Sequence, residues 1–193
     1  TPDSLDAMTR AEMLRFRQAT MVPNNAVMII IGDVDRDLTL ARVTELFGNW
    51  TSRDLPELNF PPPPNREARA TYLIDRPGSA QSNIVIANLG ITRTSADYFP
   101  MLLMHTILGA NASSRLFMNL REEKGYTYGA YSSLDARRLL GTFRVSAEVR
   151  TGVTGLSLGE FFLELGRIRD EVVSDHEIAN AKSYLTGVFP IRI

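Results

Sequence analysis

The chain has 193 residues, of which 44% are hydrophobic and 22% charged, proportions of a globular protein with one domain, or one domain and part of another. The formal net charge is −1 and no face reads as a long basic stripe, which argues against nucleic acid as the main partner. Cysteine is absent, so disulfides, Cys-ligated zinc and thiol nucleophiles are excluded.

Asp6–Thr20 reads as weakly helical, and Pro23-Asn24-Asn25 breaks it. Ala26–Ile31 is an apolar, β-branched run that predicts a buried strand ended by Gly32-Asp33. Leu40, Val43, Leu46, Phe47 and Trp50 then fall on one helical stripe. Leu55–Asn65, with consecutive prolines at Pro61–Pro64, is expected to be a semi-rigid extended linker. This divides the chain into a leading unit 1–54, a linker 55–65 and a main domain 66–193.

Beyond the linker, Ala70–Asp75 and Ser82–Leu89 predict two strands. Tyr98, Met101, Leu102, His105 and Leu108 share a helical face, and Met104 and Ile107 make that helix apolar nearly all round, so it is expected to be buried and closed by Gly109. Ser113 or Ser114 can cap a second helix through Leu120. Tyr126–Asp135 and Thr142–Arg150 predict two further strands. In the second, Phe143, Val145, Ala147 and Val149 alternate with Thr142, Arg144, Ser146 and Glu148, the pattern of a sheet with one wet face. Leu158, Phe161, Phe162, Leu165, Ile168 and Val172 form a long helical stripe, and Ser174-x-x-Glu177 is a capping box opening a last helix. Strands and helices do not alternate strictly. The expected class is α+β, a mixed, mainly antiparallel sheet layered against helices. No run is long enough to span a bilayer. The chain starts at Thr1 without a charged-then-apolar leader and stops after Phe189–Ile193 without a closing Gly; both ends read as cuts in a longer protein.

The chemistry is sparse. His105 sits on the apolar stripe of its helix, where a satisfied core histidine is the expected role. His176 lies in the first turn of the last helix, and His176-Glu177-Ile178-Ala179-Asn180 lacks the second His of a zinc helix. No Gly-x-Ser-x-Gly elbow supports Ser79, Ser113 or Ser114. Glu122 and Glu123 are adjacent and read as a solvated edge. The most informative segment is Leu120–Tyr128. Arg121 ends one amphipathic run and Tyr128 opens the next, across Gly125. Donors fixed at such a boundary can grip a peptide carbonyl or an oxyanion formed from it. The same residues also suit structure alone, Arg at a helix C-terminus and Tyr in a strand.

Gly109–Phe117, Leu120-Arg121-Glu122 and Gly125-Tyr126-Thr127-Tyr128, in that order and spacing, resemble the second half of pitrilysin/insulinase-type zinc peptidases. Pro23–Ala26 with Gly32-Asp33-Val34 looks like the end of that family's first half. Arg76–Gln81 resembles the opening of its second half, and Ser174–Glu177 with Ala181-Lys182 its late helix. The resemblance implies one half of a clamshell of the pitrilysin or mitochondrial-processing-peptidase type. The first half of such enzymes carries His-x-x-Glu-His and zinc; the second lacks zinc and supplies an Arg and a Tyr beside the scissile bond. By resemblance that pair is Arg121 and Tyr128, with Tyr126 as the rival phenol and Ser114 as a further substrate contact.

No His-x-x-Glu-His occurs here. The resemblance therefore implies a chain without its own metal or cofactor, inactive alone. Its partners would be a zinc-bearing half, in the same polypeptide or a separate subunit, and a peptide substrate. A second reading is a non-catalytic structural or assembly subunit of the same fold, like the respiratory-complex core subunits that resemble this family. If the leading strand and helix close the preceding half, they are expected to dock on an open sheet edge as in a circular permutant, or to exchange between two copies in a homodimer. A bacterial source fits the resemblance, with the periplasm preferred and the cytoplasm open.

Overall fold

In the computed structural model, residues 1–55, 57, 59–63 and 67–191 are described. The linker expected at 55–65 and the chain end therefore fall partly outside the described residues. The chain divides into two compact units, Thr1–Pro62 and Pro63–Ile193.

In the first unit, helices α1 (Pro2–Asp6), α2 (Arg10–Thr20) and α3 (Arg36–Phe47) are joined by irregular chain and one 3₁₀ turn. The helix expected over Asp6–Thr20 is split, because Thr9 starts a new one. Its hydroxyl accepts from Glu12 N–H (3.3 Å) while its own N–H donates to the Glu12 carboxylate (2.8 Å), a reciprocal capping box. Asp35 caps α3 through Leu38 N–H at 2.9 Å. The strand expected at Ala26–Ile31 is not formed. The segment is extended without a ladder, and Val27 and Ile31 are each 88% exposed. The apolar pattern is that of a strand, but a strand needs a neighbour to satisfy its backbone, and no described residue pairs with it.

The second unit carries the layered architecture. Strands β1 (Gln81–Leu89), β2 (Thr127–Asp135) and β3 (Thr142–Arg150) form an antiparallel sheet in the order β1-β3-β2. β1 pairs with β3 without a slip, from Gln81 opposite Arg150 to Leu89 opposite Thr142. The alternation predicted for β3 holds. Val145, Ala147 and Val149 are buried, while Arg144, Glu148 and Arg150 are exposed. Helices α4 (Tyr98–Gly109), α5 (Arg115–Phe117), α6 (Thr154–Asp170) and α7 (Asp175–Val188) complete the unit. Leu108, Leu116, Leu120 and Phe161 from the helical layer meet Ile84, Ala130, Val145, Ala147 and Val149 from the sheet in one core. Full burial of each large side chain contributes about 1.5–3 kcal/mol.

Four expectations are corrected here. Ala70–Asp75 is not a strand among the described elements, and Tyr72, Leu73 and Ile74 are exposed. Helix α4 is buried only in its last turn, Thr106–Gly109, and Phe99 faces solvent. Gly109 does not act as a left-handed cap. A Cβ there would collide with the Ser132 backbone and side chain, so the glycine lets α4 approach β2 closely. His105, expected in the core, is half-buried and binds Ser132 Oγ through Nδ1 at 2.7 Å beside that contact.

The capping box of α7 does more than start a helix. Glu177 accepts from Ser174 N–H (3.1 Å) and takes Nε (2.6 Å) and Nη2 (3.1 Å) of Arg115 in a two-pronged ion pair that fastens α7 to α5. The Arg115 guanidinium, outweighing the cost of partial burial, holds the Glu177 carboxyl down to about 2. A carboxylate with a depressed pKa contributes stability that is complete above its unfolded value near 4.5 and lost as pH falls toward 2. Glu177→Gln is therefore expected to destabilise the chain by about 1–2 kcal/mol at pH 7, with the difference from wild type closing between roughly pH 5 and pH 2. Urea unfolding across that pH range measures it; a difference that stays constant down to pH 2 contradicts it.

Candidate functional site

Arg121 is presented by an unusual helix end. After α5 the chain continues as a π-helical turn, Met118–Glu123, whose hydrogen bonds span one residue more than those of an α-helix. Lys124 N–H donates to Asn119 O (3.0 Å), and beyond it Gly125 N–H reaches Arg121 O (3.1 Å) and Tyr126 N–H reaches Leu120 O (2.9 Å). Gly125 has φ +63°, the left-handed conformation that closes a helix and favours glycine. Leu116, Phe117 and Leu120 anchor the turn in the core. Buried Asn119 donates to Glu160 (2.9 Å) and Glu164 (2.8 Å) on α6, and Arg167 pairs with Glu164 at 3.1 Å. The Arg121 side chain remains 44% exposed, 3.5 Å from Glu122, with its guanidinium 4.6 Å from the centre of the Phe117 ring. The ion pair with Glu122 is at the surface and contributes little, so Arg121 stays available to a ligand.

Tyr128 owes its direction to a break in the β2–β3 ladder. Thr127 pairs with Val149 and Ala130 with Ala147, so β2 advances three residues where β3 advances two. Tyr128 and Gly129 together oppose Glu148, the arrangement of a β-bulge. By strict alternation from buried Ala130 and Ser132, Tyr128 would point into the core; with the bulge it is 87% exposed. It lines a trough of about 400 Å³ on the sheet's wet face, shared with Gln81, Asn83, Tyr131, Ser146 and Glu148. The Tyr131 ring lies back along the strand over Gly129, where a Cβ would come within 2.5 Å of it. On its other side Tyr131 meets Phe117, centroid to centroid 5.9 Å. Arg121 over Phe117, and Phe117 tilted at 52° against Tyr131, thus form a chain of contacts whose last member lines the trough with Tyr128.

The remaining expected residues are placed differently. Tyr126 is half-buried at the entry to β2, its carbonyl accepting from Arg150 N–H at 3.2 Å. Ser114 is buried, and its hydroxyl donates to Asn111 O at 2.6 Å to form the turn before α5, which leaves it no surface for a substrate. Glu122 and Glu123 are exposed, as is His176. Among the described residues no group of His, Asp and Glu side chains is arranged to hold a metal ion. No described helix is long and apolar enough to cross a membrane. Sequence reasoning missed Thr127, Gly129, Tyr131 and Asn119. Gly129 inside a strand was the available signal for a bulge; nothing local marks the π turn.

A one-sided antiparallel sheet under helices, with Arg121 and Tyr128 exposed at adjoining element ends, makes the second unit a layered α+β fold. The profile of the family described as peptidase M16 inactive domain matches residues 7–185, and the chain belongs to that family. A protein of Mycobacterium leprae (strain TN) named as an uncharacterized zinc protease is 27% identical over 191 residues, covering 97% of this chain and 42% of the relative. The chain thus spans less than half the length of that relative. A crystal structure titled peptidase M16 inactive domain from Pseudomonas fluorescens aligns with TM-score 0.56 and 28% identity over 58% of this chain and 27% of that one. A protease from Helicobacter pylori shares the fold, with TM-score 0.81 and 18% identity over 97% of this chain and 46% of that one.

The turn that separates Arg121 from Tyr128 is testable by itself. Gly125→Ala places an L side chain at positive φ and is expected to cost about 1–2 kcal/mol, whereas Gly125→Asn costs less. Urea midpoints of the two variants measure this; equal stability of Gly125→Ala and wild type contradicts the assigned conformation.

Proposed function

We propose that this chain is the zinc-free half of a two-part zinc endopeptidase and that Arg121 and Tyr128 bind the substrate and stabilise its transition state. The observation that supports this reading is the exposure of both side chains, the guanidinium over Phe117 and the phenol in the trough lined by Tyr131, with Phe117 and Tyr131 in contact between them. Membership of the peptidase M16 inactive-domain family and likeness to a relative named as a zinc protease support the reaction class. The zinc, held by a His-x-x-Glu-His half in the same polypeptide or a separate subunit, would polarise the peptide carbonyl and activate water. This chain's share is electrostatic. Arg121 supplies a permanent positive charge with several N–H donors, and Tyr128 a neutral O–H donor, both directed at the carbonyl oxygen as it gains charge. Tyr126, half-buried at the entry to β2, would be a secondary contact. Residues 1–54 would close the preceding half, with 55–65 as linker and 66–193 as the substrate-binding domain.

In the assembled zinc-bearing enzyme, Arg121→Ala and Tyr128→Phe are each expected to lower peptide-cleavage kcat/KM about a hundredfold, because each removes one preorganised donor, with little change in thermal stability. Cleavage rates of both variants within twofold of wild type would exclude the assigned roles.

A further inference from the structure

We infer that Thr127 is a positioning residue that aims Tyr128 by holding the β2 bulge open. This rests on the reading of Tyr128 as a substrate-binding group. A bulge removes ladder bonds, and the groups it frees need new partners or the strand relaxes to plain alternation. Here the replacement is one side chain. Thr127 Oγ1 accepts from Gly129 N–H at 3.1 Å, across the bulged residue, and donates to the Glu148 carbonyl of β3 at 2.6 Å, with the Gly129 carbonyl at 3.0 Å as a second acceptor. The hydroxyl thus ties both sides of Tyr128 to the one residue of β3 that the bulge faces.

The alternative conformation has a definite shape. Without the hydroxyl, Gly129 N–H loses its bond to position 127, and the strand regains ladder bonds by slipping one residue through the bulge. Tyr128 then turns toward the helical layer, because a one-residue slip exchanges the faces of every side chain it passes. Two neighbouring features bias the strand toward the bulged form. Tyr131 lies over Gly129, where any side chain would displace its ring, and the ring is braced against Phe117. Valine at position 127 would fill the same space and suit a strand, yet offers neither donor nor acceptor. Serine keeps both. Backbone hydrogen bonding, rather than packing, is therefore what the site requires at this position.

The test compares Thr127→Val with Thr127→Ser, using two readouts. In the 193-residue chain labelled with 3-fluorotyrosine, Thr127→Val is expected to move the fluorine resonance assigned to Tyr128 and to raise amide exchange at Gly129 at least tenfold, while Thr127→Ser leaves both near wild type. In the assembled zinc-bearing enzyme, Thr127→Val is expected to lower kcat for peptide cleavage at least tenfold, and Thr127→Ser to restore most of it. An unmoved Tyr128 resonance with unchanged Gly129 exchange in Thr127→Val overturns the inference, as does a serine variant as impaired as the valine one. If Tyr128→Phe itself leaves cleavage unchanged, the substrate-binding reading fails, and the fluorine and exchange data alone decide whether Thr127 holds the bulge.

Discussion

The one-sided burial of β3 is the constraint from which the rest of the second unit follows. Val145, Ala147 and Val149 are covered by helices, and this forces Arg144, Glu148 and Arg150 onto the opposite face. A central strand with one dry face fixes the register of both neighbours, because a slip of one residue would exchange every buried side chain for an exposed one. β1 obeys this along its whole length. β2 obeys it except at a single place, and that place carries Tyr128.

Arg121 and Tyr128 share a structural peculiarity. Each sits where a regular element gains one residue, the π turn in the helix and the bulge in the strand. Both irregularities weaken regular hydrogen bonding and persist only where surrounding groups over-determine them. Asn119, bound to Glu160 and Glu164, holds the first; Thr127, bound to Gly129 and Glu148, holds the second. The short loop between them closes on Gly125 at positive φ. The inserted residue in β2 turns Tyr128, which strict alternation would aim at the core, onto the exposed face. Polar anchors suit this task better than apolar ones, since their geometry is directional and an unmatched buried partner is costly.

Much of the second unit was legible because its signals are local. The period-2 alternation of β3, the Ser174/Glu177 capping box and the Leu108 and Phe161 stripes each specify an element and its buried side without reference to distant chain. The Arg121 and Tyr128 candidates were legible through resemblance, not spacing. What escaped depends on tertiary contacts. Gly109 looked like a helix stop but is a point of close approach to Ser132, and Ser114 looked available but its hydroxyl closes a turn. Neither role has a sequence signature, because the partner lies on another element or in the turn geometry itself. Tyr131 has no such signature either, since alternation alone does not reveal which exposed ring leans over a glycine.

Ala26–Ile31 and Ala70–Asp75 mark the boundary of such reading. Both have the composition of buried strands, and both lie exposed without a ladder. Hydrophobic pattern reports what a segment gains by burial; it does not supply the surface that buries it. In the first unit Val22 is the one apolar residue buried among those described, while the stripe of α3 and the run Val27–Ile31 face outward. A unit of that size with so little enclosed apolar surface lacks the driving force to hold its helices together alone. The same physics that makes β3 self-evident leaves this unit dependent on a surface beyond itself.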